Sequence, residues 1–316
     1  MMEQFKMDVD KGLSASPKHL SSKYFYDKKG DALFSQIMHL PEYYVTRAEL
    51  EIFSLQTQII IDALQLNPNT YFELIELGAG DGLKTKELLR LLDKQKYKFE
   101  YIPLDISLNV LENLEKSINT DFPNIAINRQ HGDYFHVLKT LKDSHHPKVV
   151  LFLGSNIGNM PDEIAKDFIA QLGANLNVND KLFLGVDLIK SAEIVLPAYS
   201  DSKGVTKAFN LNLLTRINRE LGGNFEIANF DHQAEYHEAE GVAKSFIVSK
   251  CNQEVRIENL DKSFYFSTGE RIATEISRKY NTRIVHQIIE HSGFQITGML
   301  SDRGKYFSNY ILTKEA

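Results

Sequence analysis

The segment ELGAGDGLKT, residues 76–85, sets three glycines between an apolar run and a run of helical period. Gly78 and Gly80 allow a ligand to approach the backbone closely, and the start of the next helix offers N–H groups without partners. The spacing is G-x-G-x-G rather than the G-x-G-x-x-G of a pyrophosphate-binding turn, and Glu76 comes just before it. This combination favours S-adenosylmethionine over a nicotinamide dinucleotide as the ligand.

Polar residues also follow the next two apolar runs. Asp105 ends YIPLDI, where a carboxylate can accept hydrogen bonds from two ribose hydroxyls. Asp133 and Tyr134 of GDYF follow, and there a carboxylate can bind an adenine amino group while an aromatic ring stacks on the base. Each feature alone also fits a simple turn, and Asp105 also fits a cap of the following helix. Together, at successive strand ends, they predict a nucleoside cofactor site.

The elements that must position these residues are apolar runs that alternate with segments of helical period. Such alternation predicts a βαβ series with a parallel sheet, in which ligands bind at the carboxyl ends of the strands. The runs are YFELIELG, YIPLDI, IAIN, KVVLFLG and KLFLGVDL.

The pattern changes near residue 197. VTKAFNLNLLTRINRELGG has apolar residues four apart and ends in two glycines, which predicts an amphipathic helix with a glycine stop. VAKSFIVS and EVRIENL alternate as half-buried antiparallel strands do. The segment ISRKYNTRIVHQIIEHSG is helix-like again, and the strand candidates GFQITGML and KYFSNYILT can return to the parallel sheet.

These patterns predict an α/β fold, a Rossmann-like doubly wound sheet with an inserted α+β module. The predicted S-adenosylmethionine-binding domain comprises residues 66–196 and 286–316. The second predicted domain is discontinuous and comprises residues 1–65 and 197–285, because the N-terminal helical segment is expected to pack on the inserted module.

Composition excludes several kinds of partner. The 316 residues carry a formal net charge of −6, which argues against nucleic acid and anionic membranes and leaves a small-molecule substrate. The single Cys251 cannot form an internal disulfide, and no apolar run is long enough to span a bilayer. The histidines of DSHHPK and NFDHQAEYHEAE lack metal-ligand spacing, so we expect no metal site. We expect a cytoplasmic monomer.

Several longer motifs resemble the histidine Nα-methyltransferases of ergothioneine biosynthesis. They occur in the family's order from about residue 20 to the C-terminus, and LPEYYVTR and FLGSNIGN are much more specific than the glycine loop. The resemblance implies that three methyl groups pass in succession from S-adenosylmethionine to the α-amino group of L-histidine, giving hercynine. It also implies that the sheet is of the class I methyltransferase type and that the discontinuous second domain, residues 1–65 and 197–285, is an α+β substrate-binding domain. The matching segments are FYDKKGDALFSQIMHLPEYYVTRAE, IELGAGDGLKT, LDIS, GDYF, LFLGSNIGNM, AYSDSKGVTKAFNLNLLTRINRELG and GERIATEISRKY.

The resemblance also implies the cofactor-binding residues. Lys84 is expected to hold the methionine carboxylate of the cofactor, although from the residues alone it fits a solvated lysine in a first helical turn. With Gly80 from the glycine pattern, the full set is Gly78, Gly80, Lys84, Asp105, Asp133 and Tyr134.

The implied substrate-binding residues include Asn159, Tyr199, Tyr26 and Tyr43. Asn159 falls on the position that holds the substrate's amino and carboxylate groups, since an amide offers donors and an acceptor. Without the resemblance it fits a cap or turn residue. Tyr199 falls on a second carboxylate contact, and the other two tyrosines fall on pocket positions. Each tyrosine also fits a packed core residue.

The stretch LPEYYVTR carries two adjacent tyrosines with different expected roles. Tyr43 is expected to face the substrate. Tyr44 is expected to point the other way and to anchor the segment.

Glu275 and Ser277 of ATEIS match the pair that recognises the imidazole ring in the family, and Ile276 between them is a further implied substrate-binding residue. A carboxylate accepts a ring N–H and a hydroxyl donates or accepts, so the pair can satisfy both ring nitrogens. The competing interpretation is a salt-bridged helix face, because Arg271, Glu275 and Lys279 are four apart.

The reaction that the resemblance implies is an in-line displacement, in which positioning of the neutral amine dominates. Tyr26 is a candidate proton relay, and Asn159 holds the reacting amine. In VAKSFIVS, Lys244 and Ser245 stand where the resemblance leads us to expect a longer apolar residue. This departure leaves Nα-methylation of another amino acid or small amine as an alternative. A separate alternative is a protein that binds cofactor and amino acid without turnover.

Overall fold

The computed structural model describes residues 2–132, 134 and 144–316, which divide into two compact units. We call Met1–Tyr43 with Lys190–Ser277 the insertion unit, and Tyr44–Ile189 with Arg278–Ala316 the sheet unit. The strands, numbered along the chain, are β1 (Lys18–His19), β2 (Phe72–Leu77), β3 (Phe99–Asp105), β4 (Ala126–Ile127), β5 (Gln130–His131), β6 (Lys148–Phe152), β7 (Lys181–Asp187), β8 (Phe230–His237), β9 (Val242–Ser249), β10 (Gln253–Ile257), β11 (Lys262–Phe266), β12 (Arg271–Arg278), β13 (Phe294–Ser301) and β14 (Phe307–Lys314).

The helices are numbered in the same way, and short 3₁₀ helices separate some of them. The α-helices are α1 (Met2–Ser14), α2 (Lys28–Met38), α3 (Tyr44–Ala63), α4 (Thr85–Lys94), α5 (Leu108–Asp121), α6 (Asp162–Ala174), α7 (Ala192–Tyr199), α8 (Val205–Leu221) and α9 (Thr282–Ile289). The 3₁₀ helices are Ser22–Phe25, Asn156–Asn159, Ile227–Asn229 and Glu258–Leu260. None of the described helices combines the length and the apolar character that crossing a bilayer requires.

The sheet unit contains an eight-stranded sheet in the order β13-β14-β7-β6-β2-β3-β4, with β5 also paired to β3. Strands β7, β6, β2, β3 and β4 are parallel, whereas β14 is antiparallel to both β7 and β13. The chain runs from central β2 to β3 on one side and later to β6 on the other, so the topological switch point lies between β2 and β6. The predicted doubly wound sheet is confirmed, and GFQITGML and KYFSNYILT return to it as an antiparallel pair.

Helix α3 corrects the predicted N-terminal boundary. Residues 44–65 were assigned to the substrate-binding domain, but α3 belongs to the sheet unit. Its Ile52 and Phe53 are fully buried, and the Phe53 ring lies 5.8 Å from the ring of Phe183 in β7. The periodicity of α3 predicts that its apolar face is buried against another part of the protein. It does not predict which part that is.

The other two predicted domain boundaries also differ from the observed ones. Helix α7 begins in the insertion unit, where the amide of Ala192 donates to Glu238 at 3.1 Å, so the boundary lies at residue 190 instead of 197. Arg278 and the following residues return to the sheet unit, eight residues earlier than the predicted 286. Tyr280 explains this second shift, because its ring is 1% exposed in the core of the sheet unit.

The insertion unit combines a four-stranded sheet, in the order β1-β12-β9-β8, with the β10–β11 hairpin. Helix α8 packs its apolar face into the core, and it ends at Gly222, whose φ of +66° provides the predicted glycine stop. VAKSFIVS forms β9 and pairs antiparallel with β8, as predicted.

The segment ISRKYNTRIVHQIIEHSG is only partly helical. Residues 276–278 complete strand β12, and α9 begins at Thr282 after Asn281, whose side chain accepts a hydrogen bond from the amide of Ile284. The salt-bridged helix face through Arg271 and Glu275 is therefore wrong, because the two residues lie on a strand. Alternating burial along β12, with Ile272 and Thr274 buried, is the reason for the extended conformation.

Candidate active site

The glycine loop after β2 has the geometry of a ligand cradle. Gly78 has φ +73°, and a β-carbon there would lie 2.6 Å from the Tyr134 hydroxyl oxygen and 2.8 Å from Asn156 Nδ2, so only glycine fits. Gly80, with φ +57°, has nothing within 4 Å of its β-carbon position. The backbone is therefore crowded on one side at Gly78 and open to a ligand at Gly80.

Asp105 ends β3 and faces this loop. Its carboxylate accepts hydrogen bonds from the amides of Gly80 at 3.1 Å and Ser107 at 2.9 Å. Burial raises the pKa of the Asp105 carboxyl, and the two amide donors oppose that rise. The helix-cap alternative for Asp105 is wrong, because the cap of α5 is Ser107, whose hydroxyl oxygen accepts from the amide of Val110.

Tyr134 lies next to the same loop, while Asp133 lies outside the described residues. The Tyr134 ring packs edge-on against Phe152 of β6, with ring centroids 5.3 Å apart. Burial raises the pKa of its hydroxyl group. The structure thus brings Tyr134 to the glycine loop, and its expected stacking on adenine stays a prediction.

Lys84 closes the loop just before α4 and forms a buried ion pair that the sequence did not suggest. Its Nζ lies 2.5 Å from Oε2 of Glu49 in α3. The Lys84 side chain is only 19% exposed and that of Glu49 is 0% exposed, so the solvated-lysine alternative is wrong. Glu49 shares the face of α3 that carries Val45, Ile52 and Phe53. A carboxylate on an otherwise apolar helix face was the signal that could have identified it.

Glu76, in front of the loop, joins β2 to the start of α4. Its carboxyl group accepts hydrogen bonds from the hydroxyls of Thr85 at 2.7 Å and Tyr101 at 2.5 Å. Burial raises the pKa of Glu76 to about 7, although both hydroxyl donors lower it. The acidic residue of the motif therefore fixes the loop from inside the unit.

Asn159 lies on the loop that follows β6, at the end of the 3₁₀ helix Asn156–Asn159, and is half-buried. The loop is tightly built. Ser155 has φ +58°, uncommon for a residue with a side chain, and its hydroxyl oxygen accepts from the amide of Asp187 at 3.0 Å. A β-carbon on Gly158 would lie 2.6 Å from the carbonyl oxygen of Arg278. The loop therefore holds Asn159 in a defined place, at the carboxyl end of a central strand.

A second buried charge lies at the end of β7. The carboxylate of Asp187 accepts from the Tyr44 hydroxyl at 2.8 and 3.0 Å and pairs with Lys279 Nζ at 2.8 Å. The Asp187 and Lys279 side chains are at most 1% exposed. Tyr44 is thus buried and anchored, as expected for the second tyrosine of LPEYYVTR.

Tyr26 and Tyr43, both half-buried, meet the same ring in the insertion unit. The Phe34 centroid lies 5.7 Å from that of Tyr26 and 6.3 Å from that of Tyr43, both in edge-on geometry. Phe209 of α8 packs against the Tyr26 ring at 5.9 Å. The structure therefore brings the two predicted pocket tyrosines into one aromatic cluster.

The predicted imidazole-binding residues lie together on β12. Glu275 and Ser277 share one face of the strand, and Ile276 points to the other. The Tyr199 hydroxyl donates to Ser277 Oγ at 2.7 Å, and the Ser245 hydroxyl donates to Glu275 Oε2 at 3.3 Å. Ser245 is 1% exposed, so it supports the Glu275 carboxylate from within the unit.

The fold and the glycine loop define the class. A parallel sheet with its switch point beside an E-x-G-x-G-x-G loop, and an aspartate at the end of the neighbouring strand, is the arrangement of an S-adenosylmethionine-dependent methyltransferase. The open backbone at Gly80 and the carboxylate of Asp105 fit this cofactor.

Known proteins narrow the class to a family. The model of the family described as "Histidine-specific methyltransferase, SAM-dependent" matches residues 5–314. A histidine N-alpha-methyltransferase of Mycolicibacterium smegmatis is 35% identical, over 95% of this chain and 92% of that protein. The protein of the same name from Mycobacterium tuberculosis is 35% identical, over 98% of this chain and 94% of its own length. The Schizosaccharomyces pombe ergothioneine biosynthesis protein 1 is 29% identical, over 94% of this chain and 39% of its own. The chain belongs to the family of histidine-specific, S-adenosylmethionine-dependent methyltransferases.

Proposed function

We propose that this enzyme methylates the α-amino group of L-histidine, in three successive transfers that end at the betaine hercynine. The observation that carries the proposal is the alignment of relatives named histidine N-alpha-methyltransferases along almost the whole chain. The product of such a reaction would be the substrate of ergothioneine formation, in keeping with the name of the fission-yeast relative.

The proposed cofactor site is the glycine loop of the sheet unit. S-adenosylmethionine supplies there an electrophilic methyl group on a sulfonium centre. Gly78 and Gly80 permit close backbone approach, and Asp105 accepts hydrogen bonds from the ribose hydroxyls. Lys84 holds the carboxylate of the methionine part. Asp133 and Tyr134 keep their predicted contacts with adenine.

The proposed histidine-binding residues act by charge and hydrogen bonding. Glu275 accepts the imidazole N–H while Ser277, held by Tyr199, bonds the other ring nitrogen. Ile276 is proposed to contact the substrate through its backbone, because its side chain points to the opposite face of β12. A site built to bond a ring N–H rejects amino acids that lack one. Asn159 is the proposed contact of the substrate's amino and carboxylate groups. Tyr199 and Tyr43 stay predicted substrate contacts.

A protonated amine must lose its proton before it can attack the methyl group, since only a neutral amine has a lone pair to donate. Tyr26 is the proposed relay for that proton, directly or through an ordered water. Its ring is held edge-on by Phe34 and Phe209, which fixes where its hydroxyl can lie. The remainder of the catalysis is orientation of the amine in line with the bond that breaks.

The decisive experiment is incubation of the purified protein with L-histidine and S-adenosylmethionine, followed by mass spectrometry. We expect mono-, di- and trimethylated histidine, with fragmentation that assigns every methyl group to the α-nitrogen. Calorimetry must show in parallel that the same preparation binds the cofactor. Cofactor binding without any methylated histidine would contradict the proposal.

A second candidate is Nα-methylation of another amino acid or small amine. Ser245 favours it, because this small buried residue contacts Glu275 at the position where a longer apolar residue was expected. Comparison of kcat/KM over a panel of amino acids separates the two candidates. Binding of cofactor with no turnover of any acceptor would instead indicate a non-catalytic protein. The monomeric state and the cytoplasmic location stay predictions.

A further inference from the structure

Glu49 is a carboxylate with no exposed surface, carried by a helix whose neighbouring positions are apolar. Removing a charge from water is costly unless the charge is paired and hydrogen-bonded. Glu49 accepts from three groups: Lys84 Nζ at 2.5 Å, the Gly154 amide at 2.8 Å and Asn309 Nδ2 at 2.8 Å. The burial is therefore compensated by a specific set of donors.

The partners of Glu49 lie on both sides of the switch point. Lys84 ends the glycine loop that follows β2, and Gly154 belongs to the loop that follows β6. A single oxygen, Oε2, accepts from both of them. The side-chain amide of Asn309 in β14 donates to the other oxygen, Oε1, and so fixes the orientation of the carboxylate. One side chain thus connects the two loops between which ligands of doubly wound sheets bind.

The ion pair also fixes where the Lys84 charge lies. A lysine side chain is flexible, and the loss of its rotamer entropy opposes its ordering. Here the Nζ atom lies 3.4 Å from the β-carbon position of Gly154, and the Asn156 side-chain oxygen lies 3.7 Å from the same point. The ion pair with Glu49 therefore holds the ammonium close to the Gly154 backbone.

We infer that Glu49 is a positioning residue for cofactor binding, which acts by aiming Lys84 at the carboxylate of the cofactor. The inference rests on the proposed function, in which Lys84 holds that carboxylate. The three hydrogen-bond partners of Glu49 named above belong to the sheet unit, and Glu49 itself does not react.

The test is the dissociation constant of S-adenosylmethionine, measured by calorimetry without acceptor. In Glu49→Gln the side chain keeps its size but loses its charge, and its amide donors meet the Lys84 and Gly154 donors. We expect cofactor affinity to fall about tenfold, and the KM for histidine to change less than about threefold. Glu51→Gln, two positions further along α3 on a partly exposed residue, is the matched control and should bind cofactor like the wild type.

A double-variant cycle with Lys84→Met separates positioning from general destabilisation. If Glu49 acts through Lys84, then Glu49→Gln/Lys84→Met should bind cofactor as weakly as Lys84→Met alone. The double variant leaves no unpaired buried charge, so it serves even where the single Glu49→Gln fails to fold.

Three results would overturn the inference: unchanged cofactor affinity in Glu49→Gln, a further tenfold loss in the double variant, or unchanged affinity in Lys84→Met. Because no acceptor is present, these measurements are independent of whether histidine is the substrate. Failure of histidine methylation in the wild type would contradict the proposed function and leave the cofactor measurements valid.

Discussion

The two units of this protein hold their predicted ligand-binding residues by different forces. In the sheet unit, fully buried carboxylates fix the loops at the carboxyl ends of the strands. Glu49 pairs with Lys84, and Asp187 pairs with Lys279 and accepts from Tyr44. Breaking such a pair leaves an unpaired charge in a dry environment, which is far more costly than the pair is stabilising.

In the insertion unit, rings and neutral hydroxyls hold the corresponding residues. Tyr26 and Tyr43 pack on Phe34, and Tyr199 donates to Ser277. Aromatic contacts contribute about 0.5–1.5 kcal/mol beyond burial, so their loss is tolerated. The difference teaches that substitutions of buried charges should reduce stability, whereas substitutions in the insertion unit should change substrate binding with little effect on folding.

The largest expected effect is from Asp187→Asn. It leaves the Lys279 ammonium buried without its carboxylate, and we expect the free energy of unfolding of the sheet unit to fall by about 3–5 kcal/mol. Urea titrations measure this change. Glu290→Gln, on an exposed carboxylate of the same unit, is the control and should have no measurable effect. A loss below about 1 kcal/mol for Asp187→Asn would contradict the view that buried ion pairs stabilise the sheet unit more than ring contacts stabilise the insertion unit.

Glu76 tests the role of buried carboxylates in the sheet unit, because its titration makes the free energy of unfolding depend on pH. Its pKa is raised to about 7 in the native state by burial, above the ordinary 4.5, so the native state binds the proton more tightly than the unfolded state. The contribution of Glu76 to stability is therefore fully present below pH 4.5 and is lost as pH rises through about 7. Between these limits the loss is about 3 kcal/mol.

Urea titrations between pH 5 and pH 8 test this linkage. Glu76→Gln should lose less stability than the wild type over that range. Tyr101→Phe removes a hydroxyl that lowers the pKa of Glu76 and should extend the loss of stability to higher pH. Parallel curves for the wild type and Glu76→Gln would contradict the raised pKa.

Glu275→Gln tests whether the insertion unit recognises the imidazole ring of histidine. The amide cannot offer the ring N–H a charged acceptor, and we expect kcat/KM for histidine to fall about 100-fold. The dissociation constant of S-adenosylmethionine and the thermal midpoint should stay close to those of the wild type. Glu254→Gln, on an exposed residue of β10, is the matched control. A variant that loses cofactor binding to the same extent would indicate a structural role for Glu275.

The smallest expected effect is from Tyr43→Phe. Loss of the hydroxyl leaves the ring contact with Phe34 intact, so we expect the KM for histidine to rise about fivefold, with cofactor binding unchanged. Tyr265→Phe, on a 68% exposed residue of the same unit, is the control. Equal loss of histidine and cofactor binding would show that Tyr43 is structural.

Local patterns predicted much of this fold. The glycine loop, the Asp105 carboxylate beside it and the glycine stop of α8 depend on backbone conformations and periods that neighbouring residues determine. The last three residues of strand β12 were mistaken for part of a helix, because ISRKYN stands directly before the helical pattern of TRIVHQII. Burial of Ile272 and Thr274 against the core of the insertion unit decided otherwise.

The amino-acid sequence by itself determined the family, the glycine loop, the order of the strands along the chain and the residues expected to bind the ligands. Only the tertiary structure decided that α3 belongs to the sheet unit and that Glu49 and Lys84, 35 positions apart, form a buried pair. The physical reason is that periodicity identifies the apolar side of an element but not its partner. The pairing of a buried charge depends on groups that approach only when the distant parts of the chain pack together.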